Sequence, residues 1–287
     1  MVSISSFFYS DPFNSDPSIV SLEAITPGPF GNFEWKFEED TLSLKYQGQS
    51  PNRSLWGDAE NLIIQTFQKF INLEISVNLF IEGALDSWDC EILEKLIIPI
   101  ESKITQFSIL LKEYQDEQID TIIALIMRMD KLMDLCIIGD GEFPLEETSL
   151  DKIFKVCRDL KSLSVDNCPN FNSNSIIKII KESSKLQHLR LNPCNRYDHG
   201  ILETLEKECL HLRELYLELG CSDLDVKKEA LFDLFKACKS LTTLRFYNSA
   251  LAPPCNEDCY NLGVLNELQS AFPDRQIRVD YDFEVRK

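Results

Sequence analysis

At 287 residues the chain has room for about two domains of roughly 150 residues each, a count that holds only if the sequence is not built of repeats. Hydrophobic residues at 44% and charged residues at 26%, with 10 Gly and 12 Pro, exclude a collagenous or wholly disordered chain. Lys and Arg number 29 against 47 Asp and Glu, a net charge of −18 that repels a phosphate backbone and argues against nucleic acid as a partner.

The first ~20 residues, rich in Ser, Asp and Pro, read as a flexible terminus. They show no basic region ahead of an apolar core, and no later stretch approaches the ~20 apolar residues of a membrane span. The expectation is an intracellular protein, cytoplasmic or nuclear, off the membrane, whose ten cysteines are reduced. Phe33, Trp35 and Phe37 alternate with charged residues; after Glu38-Glu39-Asp40, Leu42, Leu44 and Tyr46 alternate again. Two alternating runs about an acidic turn predict an antiparallel hairpin, placed to cover the exposed first edge of a repeat array. Residues 1–53 are thus read as a flexible terminus and hairpin cap.

From residue 54 to residue 287 the chain is read as one repeat domain. A weak first copy is Phe70, Leu73, Ile75. Then Ile104, Phe107, Ile109 and Leu132, Leu135, Ile137 share the relative positions 1, 4 and 6. Leu160, Leu163, Val165, Cys168 and Leu186, Leu189, Leu191, Cys194 extend the match to position 9, and Leu212, Leu215, Leu217 and Leu241, Leu244, Phe246 repeat its first half. Starts at 104, 132, 160, 186, 212 and 241 lie 28, 28, 26, 26 and 29 residues apart. Ile277 and Val279 form a weak last copy.

Between these triplets the apolar period lengthens to that of a helix. Leu150, Ile153, Phe154 and Cys157 fall at i, i+3, i+4, i+7, as do Leu231, Leu234, Phe235 and Cys238; Leu202, Leu205 and Cys209 follow the same track. A strand and a helix of this size cannot bury their apolar faces alone, so neighbours must stack into a continuous interior between a strand ladder and a helix layer. The recurrent cysteines fit as small, largely apolar packing groups.

This pattern resembles the cysteine-containing leucine-rich repeats, C-x-x-L-x-x-L-x-L-x-x-C followed by a helix, which Cys157 to Cys168 match throughout. Ser183 stands at the leading cysteine of the next copy, Gly220 at the closing position of the Leu212 copy with Cys221 beside it, and Ala250 closes the Leu241 copy. The resemblance implies an α/β solenoid, a horseshoe with a parallel strand ladder and outer helices. It also implies kinship with the repeat regions of F-box substrate receptors of cullin ubiquitin ligases and of adaptors lacking an F-box. An F-box, with its Leu-Pro opening and helical apolar pattern, is not evident in residues 1–53, so engagement of the cullin adaptor is not read from the sequence.

No nucleophile elbow, phosphate-binding loop or dinucleotide fingerprint is present: the Gly139-Asp140-Gly141 turn lacks a third glycine. His188, His199 and His211 form no metal spacing, and Cys255 and Cys259 have no second pair nearby, so neither metal nor cofactor is expected and no catalysis. If the repeated leucines face inward, strand alternation sends the residues between them to the concave face. There His188, Arg190, Asn192, Glu214, Tyr216, Glu218, Thr243, Arg245 and Tyr247 are the candidate contacts for a protein partner, with Ser162, Ser164 and Asp166 beside them. Tyr and Arg are favoured at binding hot spots, and the net charge of −18 would steer a basic partner. The resemblance extends to a ligase substrate receptor; the alternative is a regulatory or assembly factor on the same repeats.

Overall fold

The computed structural model describes residues 33–38, 41–47, 76–82, 87–110, 116–139, 152–153, 158–166, 168, 173–192, 199–218, 228–248 and 262–281. At residues 33–38, 47, 82, 87–89, 92, 96, 116–118, 192, 199, 218, 246–248, 262–265 and 278–281 the backbone alone is described. The expected flexible terminus and the cysteines at 255 and 259 lie outside these residues, as does the helix expected through Leu150–Cys157 apart from Lys152 and Ile153, which are helical, the first exposed and the second buried.

Among the described residues ten strands form one sheet in strict chain order: β1 Phe33–Glu38, β2 Thr41–Gln47, β3 Ser76–Glu82, β4 Ile104–Leu110, β5 Asp134–Ile138, β6 Ser162–Asp166, β7 His188–Asn192, β8 Glu214–Glu218, β9 Thr243–Asn248 and β10 Gln276–Tyr281. β1 and β2 pair antiparallel, and every later neighbour pairs parallel. The hairpin does more than cover an edge. Its second strand is already a rung of the ladder, with Leu42 opposite Val77, Leu44 opposite Leu79 and Tyr46 opposite Ile81, all six buried.

The repeat register corrects the sequence at one end. Leu79 pairs with Phe107 and Ile81 with Ile109, so the first copy runs through Val77, Leu79 and Ile81 and not through Phe70, Leu73 and Ile75, which lie outside the described residues. One period of 28 before Ile104 is position 76, where β3 begins. An apolar triplet spaced 1, 4, 6 is weak alone, because helices also place apolar residues three apart.

Further along, Leu163, Leu189, Leu215 and Leu244 stand side by side in the ladder, with Val165, Leu191 and Leu217 one step on, and all are buried. The connecting helices are α1 Ser87–Ile97, α2 Asp116–Ile126, α3 Ser173–Glu182, α4 His199–Glu208, α5 Lys228–Ala237 and α6 Leu262–Ala271. Pro99 offers no N–H, so α1 stops at Ile97 and the chain tightens into 3-10 turns over Ile98–Lys103. In α3, Ile176, Ile179 and Ile180 fall on one face and enter the same core as the strand leucines. Neighbouring helices pack on each other, α1 on α2, α3 on α4 and α4 on α5, as the strands beneath them do.

Two backbone devices fix the spacing. Before β6, β7 and β8 one carbonyl accepts two N–H groups from the next copy: Lys161 O from Gln187 and His188, Gln187 O from Arg213 and Glu214, Arg213 O from Thr242 and Thr243. At the helix ends, thiols reach back one copy. Cys209 Sγ meets Ile180 O and Ser183 O at 4.0 and 3.9 Å, and Cys238 Sγ meets Leu205 O and Cys209 O at 3.8 and 3.4 Å. In the last copy Arg275 takes over, donating from Nη1 to Phe235 O and Cys238 O. Both cysteines sit one residue beyond their helices, and the carbonyls they reach already accept a local backbone N–H, so each thiol is a second, weak donor that ties the end of one helix to the next as well as filling space.

Candidate functional site

The strand side chains that enter the core come from one face of the sheet, and among the described residues the alternate face carries no helix. On this open face the register lines up three columns. The first runs Gln106, Asp134, Ser162, His188, Glu214, Thr243, Gln276. The central column runs Lys45, Phe80, Ser108, Cys136, Ser164, Arg190, Tyr216, Arg245, Arg278. The third holds Leu110, Ile138, Asp166 and Asn192, and farther along Glu218, Tyr247 and Asp280.

All nine candidates from the sequence therefore fall on this face, but their environments differ. Six side chains from four successive strands, β6 to β9, interact in two groups. Arg190 Nη2 donates to Asp166 Oδ2 at 3.4 Å, at the long end of the hydrogen-bond range. The Tyr216 hydroxyl donates to Glu214 Oε2 at 2.9 Å, His188 Nδ1 lies 3.4 Å from the same oxygen, and the Arg245 guanidinium stacks over the Tyr216 ring with its carbon 5.2 Å from the centroid. A ring fixed at its hydroxyl and its face, with two arginines flanking it in register, presents a polar and aromatic surface already held in place.

Thr243 departs from expectation: at 8% exposed it is covered between the flanking strands and is not available as a contact. Alternation sends its side chain to the right face, but alternation does not say how much of a short side chain its taller neighbours hide. For Asn192, Glu218 and Tyr247 the backbone gives the column and the strand only.

The open face extends beyond the residues expected from the sequence, onto β4 and β5. Asp134 is half-buried there; burial pushes its carboxyl above the usual range, against a hydrogen bond from Gln106 and the nearby charges of His188 and Lys161. Asp166 is pushed up in the same way, with Arg190 opposing the shift. Burial also raises the Cys136 thiol, although Ser164 and Ser108 hydrogen-bond to it, so this cysteine is a poor nucleophile. Its signal in the sequence was the alternation Leu135, Cys136, Ile137, the same one used for later strands. Among the described residues no three His, Cys, Asp or Glu side chains are grouped to hold a metal, and no helix is long and apolar enough to cross a membrane.

Strand ladder, outer helix layer and antiparallel first strand together define an α/β leucine-rich repeat solenoid. Comparison with solved structures agrees: a chain of the Rad7 and Elc1 complex from yeast superposes with a TM-score of 0.51 at 16% identity, over 79% of this chain and 63% of that one. The chain thus spans less than two thirds of the length of that relative. The leucine-rich repeat-containing protein LegL7 of Legionella pneumophila gives 0.40 at 13% identity, over 73% of this chain and 67% of that one. No protein-family model matches the sequence, and no curated protein matches it.

Proposed function

We propose that the protein is a non-catalytic binding module that holds another protein on the open face of its sheet. The observation that carries this reading is the linked set on β6–β9, in which Asp166 and Arg190, and His188, Glu214, Tyr216 and Arg245, come from separate repeats yet interact on a face that no described helix covers. Ordering such side chains costs conformational entropy, and a surface that has already lost it binds with less left to lose. Arg190, Tyr216, Arg245 and Tyr247 are the residues assigned to specificity. The charge of −18 supports a basic partner through long-range steering.

The finer reading is substrate recognition within a cullin-type ubiquitin ligase. Its support is the resemblance of the cysteine-bearing repeats to those substrate receptors and the likeness to a chain solved in the Rad7 and Elc1 complex. Affinity purification with mass spectrometry tests both levels. Recovery of a cullin and its adaptor is expected for the ligase reading; a GTPase or an assembly intermediate in their place would move the protein to the regulatory class. Replacing Arg190, Tyr216, Arg245 and Tyr247 by Ala is expected to abolish capture with the circular dichroism spectrum unchanged, and undiminished capture would refute the face assignment.

A further inference from the structure

Resting on that reading of the open face, we infer that its β4–β6 part seats a basic, extended segment of the partner, with two cations four residues apart meeting Asp134 and Asp166 and an aliphatic residue midway between them. The face is polarised along the ladder. On β4, β5 and β6 the only charged positions are Asp134 and Asp166, whereas the arginines Arg190, Arg245 and Arg278 belong to β7, β9 and β10. A carboxylate-bearing segment would find no cation on these three strands and would approach a chain of charge −18.

The spacing follows from register. Asp134 stands opposite Ser162, and Asp166 lies four residues farther along the same strand, about 13 Å at roughly 3.3 Å per residue. An extended partner chain running along the strands covers the same span in four residues, with the first, third and fifth side chains turned toward the sheet. Under the third lies a floor of small side chains, Ser108, Cys136 and Ser164, bounded by the half-exposed Leu110 and Ile138. That surface suits an aliphatic side chain, and the methylenes of a lysine or arginine can lie on it while the charge reaches its carboxylate. Both carboxylates are already partly desolvated by the fold, so an arriving cation gains more there than at a fully hydrated acid. Other charges face them: His188 and Lys161 near Asp134, and Arg190 on Oδ2 of Asp166.

Panning a display library of random 12-residue peptides against the full chain tests the inference. The expected result is enrichment of basic–x–aliphatic–x–basic sequences whose affinity falls about ten-fold in Asp134→Asn and in Asp166→Asn alone, one lost charge contact of about 1.4 kcal/mol each, and about a hundred-fold in the double variant. The same peptides should be indifferent to Asp233→Asn on the exposed face of α5, which controls for attraction to net charge, with circular dichroism confirming that each variant is folded. Enrichment of acidic peptides that depend on Arg190 and Arg245 would overturn this inference and leave the open-face reading standing. Peptides insensitive to both sets of substitutions, or no enrichment at all, would overturn both.

Discussion

The thiol of Cys238 donates to the backbone carbonyl of Cys209 at 3.4 Å, so two residues 29 apart in sequence join the ends of successive helices. Cys209 reaches back to Ser183 O in the same way, and Arg275 reaches back to Cys238 O. One column thus runs through four repeats, its donor changing from thiol to guanidinium at Arg275.

Burial pushes the Cys209 thiol up to about 12 and Cys238 up to about 11, from an ordinary value near 9. Below pH 9 both folded and unfolded chains keep these protons, and stability is unaffected by them. As pH rises from about 9 toward 11–12 the unfolded chain ionises first, binds fewer protons than the native one, and stability falls. Urea titrations from pH 7 to 11 should show this decline, with a shallower slope in Cys209→Ala. At pH 8 both thiols should resist alkylation until the chain is unfolded.

Ser183 occupies the same column without the thiol, and its buried hydroxyl has no hydrogen-bond partner among the described residues. Ser183→Cys replaces an unsatisfied polar group by a less polar one at a site where the neighbouring copies carry cysteine. It is expected to stabilise the protein by about 1 kcal/mol, measured as a higher urea midpoint at unchanged slope.

Arg275 lies against the rings of Phe235 and Phe272, 5.1 Å from each centroid, while donating to two helix-end carbonyls. Arg275→Ala removes the cap and the stacked cation together and is expected to cost about 2–3 kcal/mol. Hydrogen exchange should quicken first in α6 and β10, because among the described residues β10 pairs with a strand on one side only.

Leu189→Ala and Leu215→Ala delete fully buried side chains with repeats packed on both flanks, and each should cost roughly 2–5 kcal/mol by lost burial and a cavity. A loss below 1 kcal/mol in either would contradict the continuous interior.

Thr243→Ala and Arg245→Ala separate packing from recognition within one strand. The covered Thr243 should leave partner capture unchanged, while Arg245, held over the Tyr216 ring, should weaken capture by about ten-fold or more with little change in melting temperature. Equal effects of the two in a binding titration would remove Arg245 from the contact surface.

How far the sequence carries can be judged residue by residue. The leucines at 163, 189, 215 and 244 announced the ladder and its register, because a side chain every second residue and a constant repeat length leave one way to stack them. Alternation likewise put Arg190, Tyr216 and Arg245 on the opposite face, since it depends on nothing beyond the local backbone. The first copy escaped it: with one weak neighbour, the triplet at 70 and the strand at 76 look alike until pairing with β4 chooses between them.

The periodic spacing of apolar residues by itself determined the repeat architecture and which side chains face away from the core. Only the tertiary structure decided which of those are usable: that Thr243 is covered, that Asp134 and Asp166 are half-buried on strands that carry no other charge, and that thiols meet backbone carbonyls 26 to 33 residues away. The reason is that orientation is set by the two bonds flanking a residue, whereas burial, charge environment and capping are set by atoms a full repeat away.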